Sequence, residues 1–308
     1  MRGRGGKLSD FFLAGSLRDQ LKELNRIRYK GVEYLFSEEN IQSAIQRLKT
    51  VKFDGLQRTN ELVYDLLSLG LSLEQSIDGS QKSFPFYYVD WKNPEANGFH
   101  VCAEFPIARE RSDDTARPDI LLFVNGIPFA VIECKAPGEE LGQAVSQMLR
   151  NQGEDYIPKL YPYIQLVMGI NKNGATYATA GTQAKFWSVW KELPEREADI
   201  LPSISLPLSG EAKASLFSSP FAHARSWFEA QEATGPRLVT AQDKALFQLC
   251  RPVRLLELAY KFTLFEDGIK KIARYQQYFV VKSAVERAKR YIFDGDIMQV
   301  VLSQRMSQ

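Results

Sequence analysis

Residues 117–137, RPDILLFVNGIPFAVIECKAP, constrain the fold more than any other stretch of this chain. Two runs rich in β-branched and aromatic residues flank Asn125-Gly126, the dipeptide that most strongly signals a tight reversal between strands. Strands this continuously apolar need cover on both faces, so the hairpin belongs inside a sheet rather than on a wet surface. Its charges stand only at the rims: Asp119 opens the first run, and Glu133 and Lys135 close the second. The ends far from a hairpin turn come together, which brings Asp119 to the Glu133–Lys135 end. Glu133 and Lys135 are two apart and share a face of their strand. A three-residue loop (Asn125, Gly126, Ile127) would set Asp119 opposite Glu133 on that face. A two- or four-residue loop would turn it to the other face, unless Pro118 distorts the entry.

Carboxylates converging at a sheet edge repel one another unless a cation neutralises them, and hard oxygen ligands with room for water suit Mg²⁺. Such an ion acidifies a bound water and stabilises charge on a phosphate under in-line attack. Lys135 would then orient that water or hold the phosphate, and the backbone carbonyl of Cys134 offers a further ligand. The bland reading is a surface hairpin with a salt bridge at its rims. A Pro-Asp followed by [DE]xK within about 25 residues arises in roughly one chain in ten of this length, so the strand context carries the reading and the spacing does not.

The rest of the chain limits the alternatives. Lys and Arg number 39 against 37 Asp and Glu, a net charge of +2, so contact with nucleic acid has to come from local patches. Three dispersed cysteines (Cys102, Cys134, Cys250) fit neither a disulfide framework nor a zinc spacing and suit a reducing compartment. Only His100 and His223 are present, which argues against a histidine-rich metal cluster or a Ser-His-Asp triad. No run approaches a membrane span, and the apolar patch after MRGRGGKLSD is too short for a signal core. These features predict a cytoplasmic protein without membrane association.

Periodicity predicts helix over 17–50 and 59–70, β-structure from 84 to 135, helix over 139–151, and β-like runs in YIQLVMGIN and ATYATAG. This order reads as an α/β (α+β) fold. Pro194–Gly210 lacks periodicity and marks a boundary, after which AQDKALFQL, PVRLLELAYKF and IKKIARYQQYFVVKSAVERAKR read as helical. Lys270, Lys271 and Arg274 in the last of these are candidate DNA-phosphate contacts, or simply a wet basic face.

RPDILLFVNGIPFAVIECKAP resembles the nuclease hairpin of the R (restriction) subunits of type I restriction–modification enzymes. The resemblance extends from about Leu17 to about Ala284 through GLQRTNELVYDLLSLG, YYVDWKNPEANGFHV, QAVSQMLRNQGEDYIPKL, NGATYATAGT, FWSVWKE and ARYQQYFVV. It implies a PD-(D/E)xK restriction-endonuclease-like core, a mixed sheet flanked by helices, that cuts double-stranded DNA with Mg²⁺. On that likeness Asp119 and Glu133 match the metal ligands and Lys135 the catalytic lysine. Gln147 matches the glutamine of an accessory Q-xxx-Y element. Position 151 is Asn rather than Tyr, a departure from that element's usual pairing, and neighbouring Gln152 is the candidate substitute. Gln147 and Gln152 equally suit the polar side of a helix whose apolar side is Val145, Met148 and Leu149. Glu61 matches an acidic residue that some members of the wider superfamily place near the metal, or lies on a solvated helix face.

The likeness further implies methylation and specificity subunits as partners, and ATP-driven translocation in the intact complex. This chain contains no G-x-x-x-x-G-K-[ST] loop for nucleotide phosphates. Its last stretch, GDIMQVVLSQRMS, resembles the opening of the chorismate-binding region of anthranilate synthase component I, without that enzyme's later motifs. The expected organisation is a nuclease domain over 1–195, a helical connector over 196–284 and a foreign-looking helical tail over 285–308. A non-catalytic assembly or DNA-binding remnant is the competing reading.

Overall fold

A computed structural model describes residues 10–192, 197–218, 221–235 and 237–295. Helix α1 (Ala14–Leu24) buries Leu17 and Leu21 and is followed by a hairpin of β1 (Arg26–Tyr29) and β2 (Val32–Leu35). The expected single helical region over 17–50 is therefore broken in two: Lys30 and Gly31 take φ of 50° and 80°, a left-handed pair that turns the chain. Helix α2 (Glu38–Lys49) begins where the Ser37 hydroxyl accepts from the Asn40 N–H, with Glu38 and Glu39 in its first turn and Ile41, Ala44, Ile45 and Leu48 on its buried stripe. Helix α3 (Leu56–Leu69) stops at Gly70, whose φ is 73° and where a Cβ would meet the Phe86 carbonyl oxygen at 2.3 Å. A hairpin of β3 (Leu71–Ile77) and β4 (Ser80–Phe86) follows.

The central sheet contains β5 (Phe99–Ala103), β8 (Ile120–Val124), β9 (Ile127–Cys134), β10 (Leu166–Asn171) and β11 (Gly174–Ala178), in the order β11-β10-β9-β8-β5. Between β5 and β8 stands a small hairpin of β6 (Ile107–Ala108) and β7 (Thr115–Ala116). Only β9 and β10 run parallel, so the sheet is mixed, as expected. Helix α4 (Leu141–Asn151) makes the crossover between those two strands and packs on them. Gly169 permits the close approach, because a Cβ there would lie 3.0 Å from the Cβ of Ala144. Every residue of β10, and all of β9 except Cys134, is buried.

Beyond the sheet come α5 (Glu197–Ser205), α6 (Gly210–Leu216), α7 (Arg225–Ala233), α8 (Ala241–Cys250) and α9 (Pro252–Lys261), then a hairpin of β12 (Thr263–Glu266) and β13 (Ile269–Ile272). The described residues form two compact units that meet at the Ile272–Ala273 junction. Segments on both sides of residues 193–196 thus share one unit with the sheet. Arg254 of α9 pairs with Glu192 at 2.6 Å, and Tyr260 stacks on Trp91 at 4.9 Å between centroids. The second unit contains α10 (Tyr275–Phe293). The helix expected from residue 269 starts six residues later, because Asp267 and Gly268, at φ of 53° and 73°, close a hairpin first. Most of the 285–308 tail lies outside the described residues, and 285–293 continue α10.

Candidate active site

The hairpin loop is two residues, Asn125 and Gly126, at φ of 52° and 77°, and not the three that a regular hairpin would need to face Asp119 to Glu133. A β-bulge supplies the missing residue. Val124 pairs with Ile127 and Phe123 with Pro128, but Leu122 pairs with Ala130, leaving Phe129 unopposed. Pro128 has no N–H to give a ladder and sits at this irregularity. From there the register is Leu121↔Val131 and Ile120↔Ile132. One step further along the same register sets residue 119 against residue 133. The bulge therefore turns Asp119 back toward the face of Glu133.

The turn itself is buried under α1. Asn125 is fully buried and donates to the Tyr88 carbonyl at 2.9 Å and to Asn97 Oδ1 at 2.8 Å, while its own Oδ1 accepts from the Gly98 N–H at 2.7 Å. The Gly126 carbonyl accepts from the Leu13 N–H at 2.9 Å.

At the other end, a chain of hydrogen bonds joins the charged residues. Asp119 Oδ2 accepts from the Cys134 N–H at 2.7 Å. Lys135 Nζ donates to Gln147 Oε1 at 2.6 Å, and Gln147 Nε2 donates to Glu133 Oε2 at 2.5 Å. Asn151 Nδ2 donates to Glu133 Oε1 at 3.0 Å. Gln147 and Asn151 are four apart on α4 and so share a face, and β10 places Gly169 directly beside Glu133. Asn151, which breaks the Q-xxx-Y pattern, is a buried partner of the central carboxylate. Its spacing from Gln147 was the available signal.

Glu133 has no solvent exposure, whereas Asp119 and Lys135 are half-buried. Burial, followed by the charge and hydrogen bonding of Asp119, pushes the Glu133 carboxyl up to about 8, while Lys135 and Asn151 act in the opposite direction. Burial together with the two carboxylates raises the Cys134 thiol to about 11. The fully buried Tyr161 hydroxyl is likewise raised, by burial first and the Glu133 charge second. Among the described residues no group of three or more His, Cys, Asp or Glu side chains comes together around a metal position. The donors present are two carboxylates and backbone carbonyls such as that of Cys134. This is a sparse, all-oxygen set that suits a hard cation keeping several waters.

Other expected residues stand apart. Gln152 donates to the Met148 carbonyl and accepts from the Gly181 N–H at 2.7 Å, so it faces the loop after β11 and does not substitute for a tyrosine. Glu61 is half-buried on α3 and takes no part in the bonds that link the four site residues. Lys270 is no DNA contact. It is 4% exposed, its Nζ donates to Gln165 Oε1 at 2.5 Å, and it lies against the rings of Tyr64 and Phe265. Strand alternation turns it inward while Lys271 faces out and pairs with Glu266. Arg274 is exposed at the start of α10, where its N–H donates to Gln277 Oε1 at 2.8 Å.

No described helix is long and apolar enough to cross a membrane. A family profile described as the type I restriction enzyme R protein N terminus matches residues 3–188. Similar proteins include a putative type I restriction enzyme MjaIXP endonuclease subunit of Methanocaldococcus jannaschii, 23% identical over 91% of this chain and 25% of its own length. The type I restriction enzyme HindI endonuclease subunit of Haemophilus influenzae is 26% identical over 91% of this chain and 23% of its own. The putative MjaVIIP endonuclease subunit of M. jannaschii is 29% identical over 75% and 18%. The chain thus spans between about a fifth and a quarter of the length of these relatives. With the profile covering well over half of its residues, this chain belongs to the type I restriction enzyme R protein N-terminal family.

Proposed function

We propose that this chain is the Mg²⁺-dependent DNA endonuclease module of a type I restriction–modification R subunit, with a PD-(D/E)xK core. The observation that carries the reading is the fully buried Glu133 carboxylate facing Asp119 and tied through Gln147 to Lys135. An unneutralised buried carboxylate beside a second one is costly unless a cation is supplied. Asp119, Glu133 and the Cys134 carbonyl would hold Mg²⁺, which when bound supplies charge neutralisation and an acidified water.

The protein's own groups do the rest. In phosphodiester hydrolysis a water oxygen replaces one ester oxygen at phosphorus, and the departing oxygen takes a proton. The Lys135 ammonium orients the attacking water or holds a non-bridging oxygen. Gln147 accepts from that ammonium and donates to Glu133, which keeps the lysine over the carboxylates and fixes the orientation of its own amide. In the intact complex, cleavage of unmodified double-stranded DNA would require ATP-driven translocation by other parts of the R subunit, together with methylation and specificity subunits.

Lys135→Ala tests the assignment. Reconstituted with motor and partner subunits, it is expected to lose cleavage by at least about 10²-fold with an unchanged melting curve. Cleavage at the parent rate would sink the assignment.

A further inference from the structure

Gln147 stands at the edge between the side of α4 that grips Glu133 and its exposed side, where Gln143, Ser146 and Arg150 lie. Gln143, Ser146, Gln147 and Arg150 recur at helical spacing, and with Lys135 and Glu140 they line an open groove along the helix, with Lys135 as its link to the site. Arg150 is exposed and pairs with no carboxylate among the described residues, while the acids that follow α4, Glu154 and Asp155, pair with Arg111. Its guanidinium lies over the Tyr156 ring, 5.3 Å from the centroid, and Arg109 lies 4.2 Å from the centroid of the same ring. That ring is held in place. The Tyr156 carbonyl accepts from the Glu110 N–H at 2.7 Å, and Arg109 Nε donates to the Asp155 carbonyl at 3.1 Å. The loop joining β6 to β7 is thereby fastened to the loop after α4, and the tyrosine narrows the arcs open to Arg150 without using its N–H donors.

We propose that this groove binds the phosphodiester backbone of duplex DNA next to the scissile bond. Arg150, aimed by Tyr156, is its phosphate-gripping residue. The inference rests on the nuclease reading for its substrate. Two cations, Lys135 and Arg150, face one carboxylate, Glu140, along a polar lining that suits an anionic strand. A guanidinium with free paired donors matches a phosphate's two non-bridging oxygens. Arg150 is thus a binding residue one helical turn from Gln147, outside the group that holds the reacting atoms.

The test is a salt-dependent titration of the full chain with a short fluorescent duplex, Ca²⁺ replacing Mg²⁺. Arg150→Gln is expected to weaken binding about fivefold at ~0.1 M salt and to lower the log–log salt slope by about one, the signature of one lost phosphate contact. Arg150→Lys restores the slope but not the full affinity. Parent slope and affinity in Arg150→Gln, or no duplex binding by the parent chain, overturn the proposal. Should the chain bind DNA through Arg150 yet cut nothing when reconstituted, the nuclease reading falls and the groove assignment stands. Should it cut DNA while Arg150→Gln binds as the parent does, only the groove assignment falls.

Discussion

Glu133 carries the highest electrostatic cost in the site. Its folded-state pKa, about 8, lies above the ordinary carboxyl value, so the folded chain binds more protons than the unfolded chain between those two values. Stability of the metal-free protein therefore falls as pH rises through that window. On the proposed reading, a divalent ion between Asp119 and Glu133 would compete with that proton. Mg²⁺ is expected to raise the melting temperature more at pH 8 than at pH 5, and Glu133→Gln to abolish the difference. Equal Mg²⁺ effects at the two pH values in the parent would contradict the shared site. Asn151 belongs to the same balance. From the sequence it looked like a lost tyrosine, because a pattern of residue types records spacing but not which polar partner the fold brings within reach. The structure gives that position a bond to Glu133 at 3.0 Å.

Among the elements, the β8–β9 hairpin decides whether a site exists at all. Its two strands were legible in their apolar runs and its turn in Asn125-Gly126, but the bulge at Phe129 was not. Pro128 was the available clue, since a proline in a buried strand must fall where no ladder N–H is needed. The hairpins over 26–35 and 263–272 were missed for a related reason. Their turns use Lys30-Gly31 and Asp267-Gly268 in left-handed conformations within stretches whose apolar spacing also suits a helix. The register depends on the turn staying seated under α1. At Gly126 a Cβ would lie 2.6 Å from the Leu17 nitrogen and 2.7 Å from the Leu13 carbonyl oxygen, at a φ of 77°. Gly126→Ala is therefore expected to destabilise the protein by at least about 2 kcal/mol in denaturant titrations and to weaken Mg²⁺ binding along with it. A variant as stable as the parent would show that the turn is not confined in this way.

At the scale of the molecule, the unit that contains the sheet runs on to Ile272, past the Pro- and Ser-rich stretch that suggested a boundary. That stretch contains α5, which has Pro202 within it. Composition signals a break in periodicity there, but the fold continues through later contacts that composition cannot show. Lys270 is one of them. Its Nζ donates to Gln165 at the entrance to β10, and its carbonyl accepts from Thr179 at 2.8 Å. Burial holds its pKa well below that of an ordinary amine. Between that lowered value and the ordinary one the unfolded chain binds the extra proton, so stability rises with pH through that window and is lost as pH falls. Lys270→Met is expected to flatten this dependence, with melting temperatures compared at pH 7 and pH 10. An unchanged slope would mean that the Lys270 amine reaches water in the folded chain.

The proposed nuclease site requires a divalent ion between the two rim carboxylates, Asp119 and Glu133. Crystals of the chain soaked in Mn²⁺ and measured at the manganese absorption edge test this directly. The expected result is an anomalous peak within coordination distance of both Asp119 and Glu133, absent in Asp119→Ala. Clear density for both side chains with no peak between them would contradict it.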